Sequence, residues 1–176
     1  MTRQLLLAAA LLALAGCSGN TDLTARGHVT ATVDGTPRGF DFPNDIRLDA
    51  PEPGTAEGLI TGTCEMARVE DLERGDSSWG VVFTLQGGIG ATDDQPLTSV
   101  TIMQRSDADP AAAFVEAEIG GETHTSGAGS CAVDVEYVTE DSGMVGIVGT
   151  CDVANDAGDT ASIDVSLDII GCTVLD

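Results

Sequence analysis

Ala161-Ser162-Ile163-Asp164-Val165-Ser166-Leu167-Asp168-Ile169 alternates apolar and polar residues without a break. Successive side chains of an extended chain point to opposite faces, so this stretch predicts a strand with one dry and one wet face. Asn155-Asp156-Ala157-Gly158-Asp159 precedes it as a turn. Further back, residues 131–138 and 144–154 flank the polar run Thr139-Glu140-Asp141-Ser142-Gly143 and predict a hairpin. Centring that hairpin on Asp141 puts Cys131 opposite Cys151. The same register pairs Val133 with Gly149, Val135 with Ile147 and Tyr137 with Val145, all on the inward face. A cross-strand disulfide between Cys131 and Cys151 is therefore expected.

The upstream chain reads in the same way. His28-Val29-Thr30-Ala31-Thr32-Val33, the turn signal Asp34-Gly35 and Phe40-Asp41-Phe42 predict an opening hairpin, with a short strand over residues 45–48. Residues 50–54 hold two prolines and a glycine and read as a loop. Residues 58–66 predict a strand with Ile60, Cys64 and Met66 inward. Residues 68–74 suggest one helical turn, with Glu70 and Arg74 at i,i+4 spacing and Gly75 ending it. Trp79, Val81, Phe83 and Leu85 share the core face of the next strand. After a glycine-rich turn at residues 87–90, residues 97–104 form another, with Val100 and Ile102 inward.

Residues 109–120 carry two conflicting signals. Asp109 as a cap, Pro110 at the first position and Gly120 at the end suggest a helix, whereas Val115, Ala117 and Ile119 alternate with Glu116 and Glu118. Because every neighbouring element reads as a strand, we read this one as a strand too. Residues 60–67 and 147–154 echo each other (Ile-Thr-Gly-Thr-Cys-Glu-Met-Ala against Ile-Val-Gly-Thr-Cys-Asp-Val-Ala), which suggests similar hairpins in one domain. Eight to ten short strands with regular turns predict an all-β fold, a single antiparallel β-sandwich or partly closed barrel stapled by two disulfides.

At the other end of the chain, Arg3 and an apolar run over residues 5–15 lead to Leu14-Ala15-Gly16-Cys17. The apolar run is too short to span a bilayer and has the layout of an export signal. The tetrapeptide resembles a bacterial lipobox. That resemblance implies a signal peptide over residues 1–16, removed before Cys17, and a diacylglycerol thioether with an N-linked acyl chain, such as palmitate, on Cys17. Three acyl chains anchor firmly where one alone is marginal. Residues 17–25 would then be the lipidated cysteine and a polar, flexible spacer with a reach of about 15 Å, and residues 26–176 the β-domain. In a cell with an outer membrane, Ser18 after the lipid cysteine resembles the sorting pattern for that membrane.

Removing residues 1–16 leaves 160 residues, one domain's worth, with Arg3 lost from the charge count. All seven basic residues of the chain are arginine, against 29 Asp plus Glu, for a formal net charge of −22. Such a surface repels nucleic acid and anionic lipid. The acids are spread along the chain, as in a solvated shell, and suit a saline habitat. Aromatic residues are only 3% of the chain, so the core must be aliphatic. Setting Cys17 aside leaves four cysteines in an exported protein, so disulfides are expected, the close pairs of a zinc site being absent from the sequence.

The order of elements over residues 17–176 resembles the mycobacterial 19 kDa lipoprotein antigen family. There a lipidated cysteine and spacer precede a β-domain whose early cysteine pairs with one near the C-terminus. Cys64 and Cys172 match those two positions, and they are also the pair left over once Cys131 joins Cys151. The resemblance implies no catalytic residue.

Catalytic motifs are missing from the sequence. Only His28 and His124 occur; both sit in polar or strand-opening stretches that suggest the surface, and no His-Glu-x-x-His is present. Residues 127–131 lack the Gly-x-Ser-x-Gly pattern, and residues 87–90 lack the Lys of a phosphate loop. Asp107, Asp109, Asn155, Asp156 and Asp159 put hard oxygen ligands in loops and are weak calcium candidates, although turns favour the same residues for backbone reasons. The expected function is a non-catalytic, membrane-anchored structural or interaction domain of the cell envelope. No cofactor and no nucleic acid are expected; its partners would be the membrane, through the lipid, and an envelope protein. The alternative is a calcium-dependent binding module or an enzyme built from loop carboxylates.

Overall fold

The computed structural model describes residues 22–48, 60–71, 76–87 and 97–175. Its strands are β1 (Thr24–Val33), β2 (Thr36–Arg47), β3 (Thr61–Asp71), β4 (Asp76–Gln86), β5 (Leu97–Arg105), β6 (Phe114–Ile119), β7 (Glu122–Thr139), β8 (Met144–Ala154), β9 (Thr160–Ile170) and β10 (Thr173–Leu175). All ten lie in one sheet, in the order β10-β3-β4-β5-β6-β7-β8-β9-β1-β2, which curls into a half-barrel. Of the two expected architectures, the partly closed barrel is the one found. Every pairing is antiparallel except the short parallel contact of β10 with β3.

Alternation decides what fills the curl. In β9, Ala161, Ile163, Val165, Leu167 and Ile169 are all buried, and the residues between them are not. The same period-two rule puts Val29 and Ala31 of β1, Cys64 and Met66 of β3, Val81, Phe83 and Leu85 of β4, and Val100 and Ile102 of β5 into one interior. Trp79 is half-buried against that cluster, while Phe40 and Phe42 of β2 are fully inside it.

The curl is drawn together where β2 runs out. The Leu48 N–H donates to Leu23 O, and its carbonyl accepts from Gly62 N–H, so one residue ties β1, β2 and β3. Beyond β9 the chain crosses to β3, where Cys172 is disulfide-bonded to Cys64 and its N–H donates to Gly143 O in the β7–β8 turn. The second disulfide joins Cys131 and Cys151, directly opposite across β7 and β8, as the hairpin register requires.

Several local expectations are corrected. β1 begins at Thr24, two residues inside the expected spacer, because Ala25 is buried and pairs with Ile169 of β9. Residues 45–48 are not a separate strand; β2 runs through to Arg47. The expected helical turn at residues 68–74 is instead strand as far as Asp71, since Arg68 to Glu70 continue the ladder to β4. Arg74 and the loop at residues 50–54 lie outside the described residues. Both signals over residues 109–120 are used. Asp109 caps a short 3-10 turn, Pro110–Ala112, by accepting from Ala111 N–H at 2.9 Å, and β6 follows.

Tyr137 is the sharpest correction. The register of β7 and β8 slips by one between Val135 and Tyr137, so Tyr137 pairs with Gly146 and Val138 with Val145. A one-residue slip turns a side chain to the other face, and Tyr137 points outward. Its ring lies over Gly146, where a Cβ would sit 2.3 Å from a ring carbon, so only glycine fits. Its hydroxyl donates to Asp168 Oδ1 at 2.6 Å, while Arg26 holds Asp168 Oδ2. Partial burial, and then the Asp168 carboxylate, push the Tyr137 phenol up from 10.0 to about 12.

Two predictions follow from this geometry. Non-reduced peptide mapping should recover the linkages Cys64–Cys172 and Cys131–Cys151; a Cys64–Cys131 linkage would refute the register. On the chain-entropy view, removing the first bridge costs about 4.7 kcal/mol and the second about 3 kcal/mol, so melts of the paired serine variants should rank in that order. Tyr137 is the single tyrosine of the chain, so ultraviolet titration of tyrosinate reads it alone. Its neutral form is favoured by folding, so its contribution to stability is intact below pH 10.0 and lost as pH rises toward about 12. Asp168→Asn should move the titration partway back toward 10.0, and an unmoved midpoint would remove Asp168 as a cause.

Candidate functional site

In an antiparallel meander alternate turns fall at the same end, and this collects three turns that are distant in sequence. The β1–β2 turn (Asp34, Gly35), the β6–β7 turn (Gly120, Gly121) and the β8–β9 turn (Asn155 to Asp159) share one rim. Between them lies a cleft of roughly 490 Å³, lined by Val33, Asp34, Ile119, Glu122, His124 and Asp159 among others.

His124 overturns its surface assignment. It is only 5% exposed, because β7 turns it inward at the rim, opposite Ala117 of β6. Its Nδ1 lies 3.1 Å from Glu122 O. A carbonyl oxygen can only accept, so Nδ1 carries the hydrogen in this contact. Nε2 makes no hydrogen bond among the described residues, and it is not sealed from solvent. His28, by contrast, is at the surface as expected, with Nε2 2.7 Å from Asp164 Oδ1.

The carboxylates of the rim are held by their own turn. Asn155 Nδ2 donates to Glu122 Oε2 at 2.6 Å and to Asp159 Oδ2 at 3.2 Å, while Asn155 Oδ1 accepts from Asp159 N–H at 2.8 Å. Asparagine in this role fixes a turn by closing a local ring with the backbone. The other carboxylate oxygens, Glu122 Oε1 and Asp159 Oδ1, have no partner among the described residues. Asp156 is exposed on the same turn.

The remaining calcium candidates serve the fold. Asp107 is bound by Arg105 through both oxygens, at 3.1 and 2.9 Å, and Ser78 followed by Arg105 holds its carboxyl below the ordinary range. Asp109 caps the 3-10 turn. Among the described residues no group of three or more His, Cys, Asp or Glu side chains is placed to hold a metal ion. Cys17 lies outside the described residues. Sequence reasoning missed the grouping of Asp34, Glu122 and His124 with Asp159, although the shared end of alternate turns in a meander would have found it.

No family model, no curated protein and no solved structure matches this chain.

A thermal melt of the purified chain in sodium, magnesium and calcium chlorides should show a gradual rise that depends on ionic strength alone, as self-repulsion is screened. A calcium-selective rise that saturates, reaching about 2.7 kcal/mol at a hundredfold excess over the dissociation constant and lost on Asp156→Ala, would instead demonstrate a calcium site.

Proposed function

We propose that this protein is a lipid-anchored, non-catalytic β-domain of the cell envelope that acts by interaction. The observation that carries the reading is a Leu14-Ala15-Gly16-Cys17 lipobox followed within a few residues by a fold stapled by two disulfides. Disulfides persist in oxidising, exported compartments, which is where a lipobox sends a chain. The spacing agrees. Asp22 is paired with Arg47, and Leu23 O accepts from Leu48 N–H, so only residues 18–21 separate Cys17 from the folded part. Four residues reach at most about 14 Å, which keeps the domain against the membrane.

An outward apolar row supports the interaction half of the reading. Val82, Met103 and Phe114 are cross-strand neighbours on β4, β5 and β6, and they are 37%, 42% and 37% exposed. Apolar groups placed side by side on an otherwise acidic surface suit contact with another protein.

Cells fed labelled fatty acid should lipidate the wild-type chain and not Cys17→Ser, and the serine variant should leave the membrane fraction. Label retained on the serine variant would refute the anchor.

A further inference from the structure

We propose that Met103 is a site of oxidation by hydrogen peroxide and related hydroperoxides, and that its sulfoxide turns the apolar row outside β4, β5 and β6 polar without disturbing the fold. The described residues include Met66, Met103 and Met144, and the fold treats them differently. Met66 is in the interior at 0% exposure, Met144 is half-buried at the start of β8, and Met103 is 42% exposed. Ile102 and Gln104 on either side of Met103 are buried, so period-two alternation turns its thioether outward. Its cross-strand neighbours are Val82 and Phe114, whose Cβ atoms lie about 5 Å away in such a ladder, and an unbranched thioether covers both.

The chemistry needs only access to the sulfur. A lone pair of Met103 Sδ attacks one oxygen of the hydroperoxide; an S–O bond forms as the O–O bond breaks, and the proton of the attacked oxygen passes to the departing one. Sulfur is oxidised to the sulfoxide, and the peroxide is reduced to water or an alcohol. The step calls on no acid or base of the protein, so exposure sets the order of reaction. The two disulfides suit an oxidising compartment, where such oxidants reach a chain. A sulfoxide is polar and carries an acceptor oxygen. At Met103 that oxygen stands in water, in the middle of the row Val82, Met103, Phe114, and breaks its apolar continuity. At Met66 it would be carried into the aliphatic core, where an unpaired acceptor is costly. Modification at Met103 therefore changes the surface and spares the interior. Its effect on a partner rests on the row being a contact surface, as proposed above; the oxidation itself does not.

The test treats the detergent-solubilised full chain with dilute hydrogen peroxide, stops the reaction at intervals with free methionine, and reads the sulfoxide at each methionine by peptide mass. Met103 should be converted first and Met144 next. Met66 should react at least about tenfold more slowly than Met103, since the oxidant reaches it only through local opening. In denaturant the three rates should converge, which assigns the order to the fold. A chain oxidised at Met103 alone should melt as the untreated chain does. So should Met103→Leu, which keeps the apolar bulk and lacks the reactive sulfur, and the fast phase of oxidation should vanish from it. Equal rates in the folded chain, conversion of Met144 or Met66 ahead of Met103, or a lowered melting temperature after oxidation at Met103 alone would overturn the proposal. These readings involve neither Cys17 nor a partner, so failure of the anchored, interacting reading would leave them unchanged.

Discussion

The constraint on which this fold depends is the closing of a curled sheet whose two edges share no full ladder. The sheet ends in β2 on one side and in the three-residue β10 beside β3 on the other, and backbone bonding from the β2 end to β3 runs through Leu48 alone among the described residues. Leu48 is itself fully buried, so its side chain fills the interior at the point where its backbone joins the edges. The Cys64–Cys172 bridge then fastens the chain leaving β9 to β3. A loop of 108 residues is thereby closed, and long loops are where a cross-link removes most freedom from the unfolded chain. β10 extends that fastening by pairing alongside β3, covering part of an edge that would otherwise template association. Pro37 and Pro43 do similar work on β2 by removing two backbone donors.

The surface contributes much less. Arg26 with Asp168, Arg47 with Asp22 and Arg105 with Asp107 are exposed pairs, each partner more than 40% open to solvent. Pairs of this kind contribute about 0–1 kcal/mol and are screened by salt. With 29 acids against seven arginines, most carboxylates have no basic partner to take, so the surface as a whole is repulsive. The weight falls on the aliphatic interior and on the two bridges. Around Phe40, Phe42 and Phe83 the interior packs through Val, Ile and Leu, whose branched shapes suit the pleated faces of a sheet.

Most of the fold was legible in the sequence because burial on one face forces period-two alternation, and β9 displays it over nine residues. The Cys131–Cys151 pairing was legible for the same reason, through the hairpin register. Tyr137 was not, because a slip of one residue leaves no mark in the pattern. Its signal is Gly146, which is needed only once a ring lies across it. The stretch from residue 68 was misread because charged side chains such as Arg68 and Glu70 on the outer face of a strand look like a helical turn when the partner strand is unknown. His124 was misread because its neighbours in sequence are polar, whereas its burial comes from strands that the sequence does not place beside it. The rim of the cleft is a property of topology, and its residues are spread from Asp34 to Thr160.

The direction of β1 relates the two ends of the molecule. Thr24 begins the strand a few residues after Cys17, and Val33 ends it on the cleft, with Asp34 in the following turn. Ten residues of extended chain span about 30 Å, so β1 carries the chain from its entry into the fold at Thr24 to the cleft at the opposite end of the sheet. Even with the tilt of a barrel strand that distance is about twice a Debye length of about 10 Å, so charges at the two ends of β1 are screened from each other. The acids of that rim, Asp34, Glu122 and Asp159, are therefore set well away from the Arg47–Asp22 pair at the entry end.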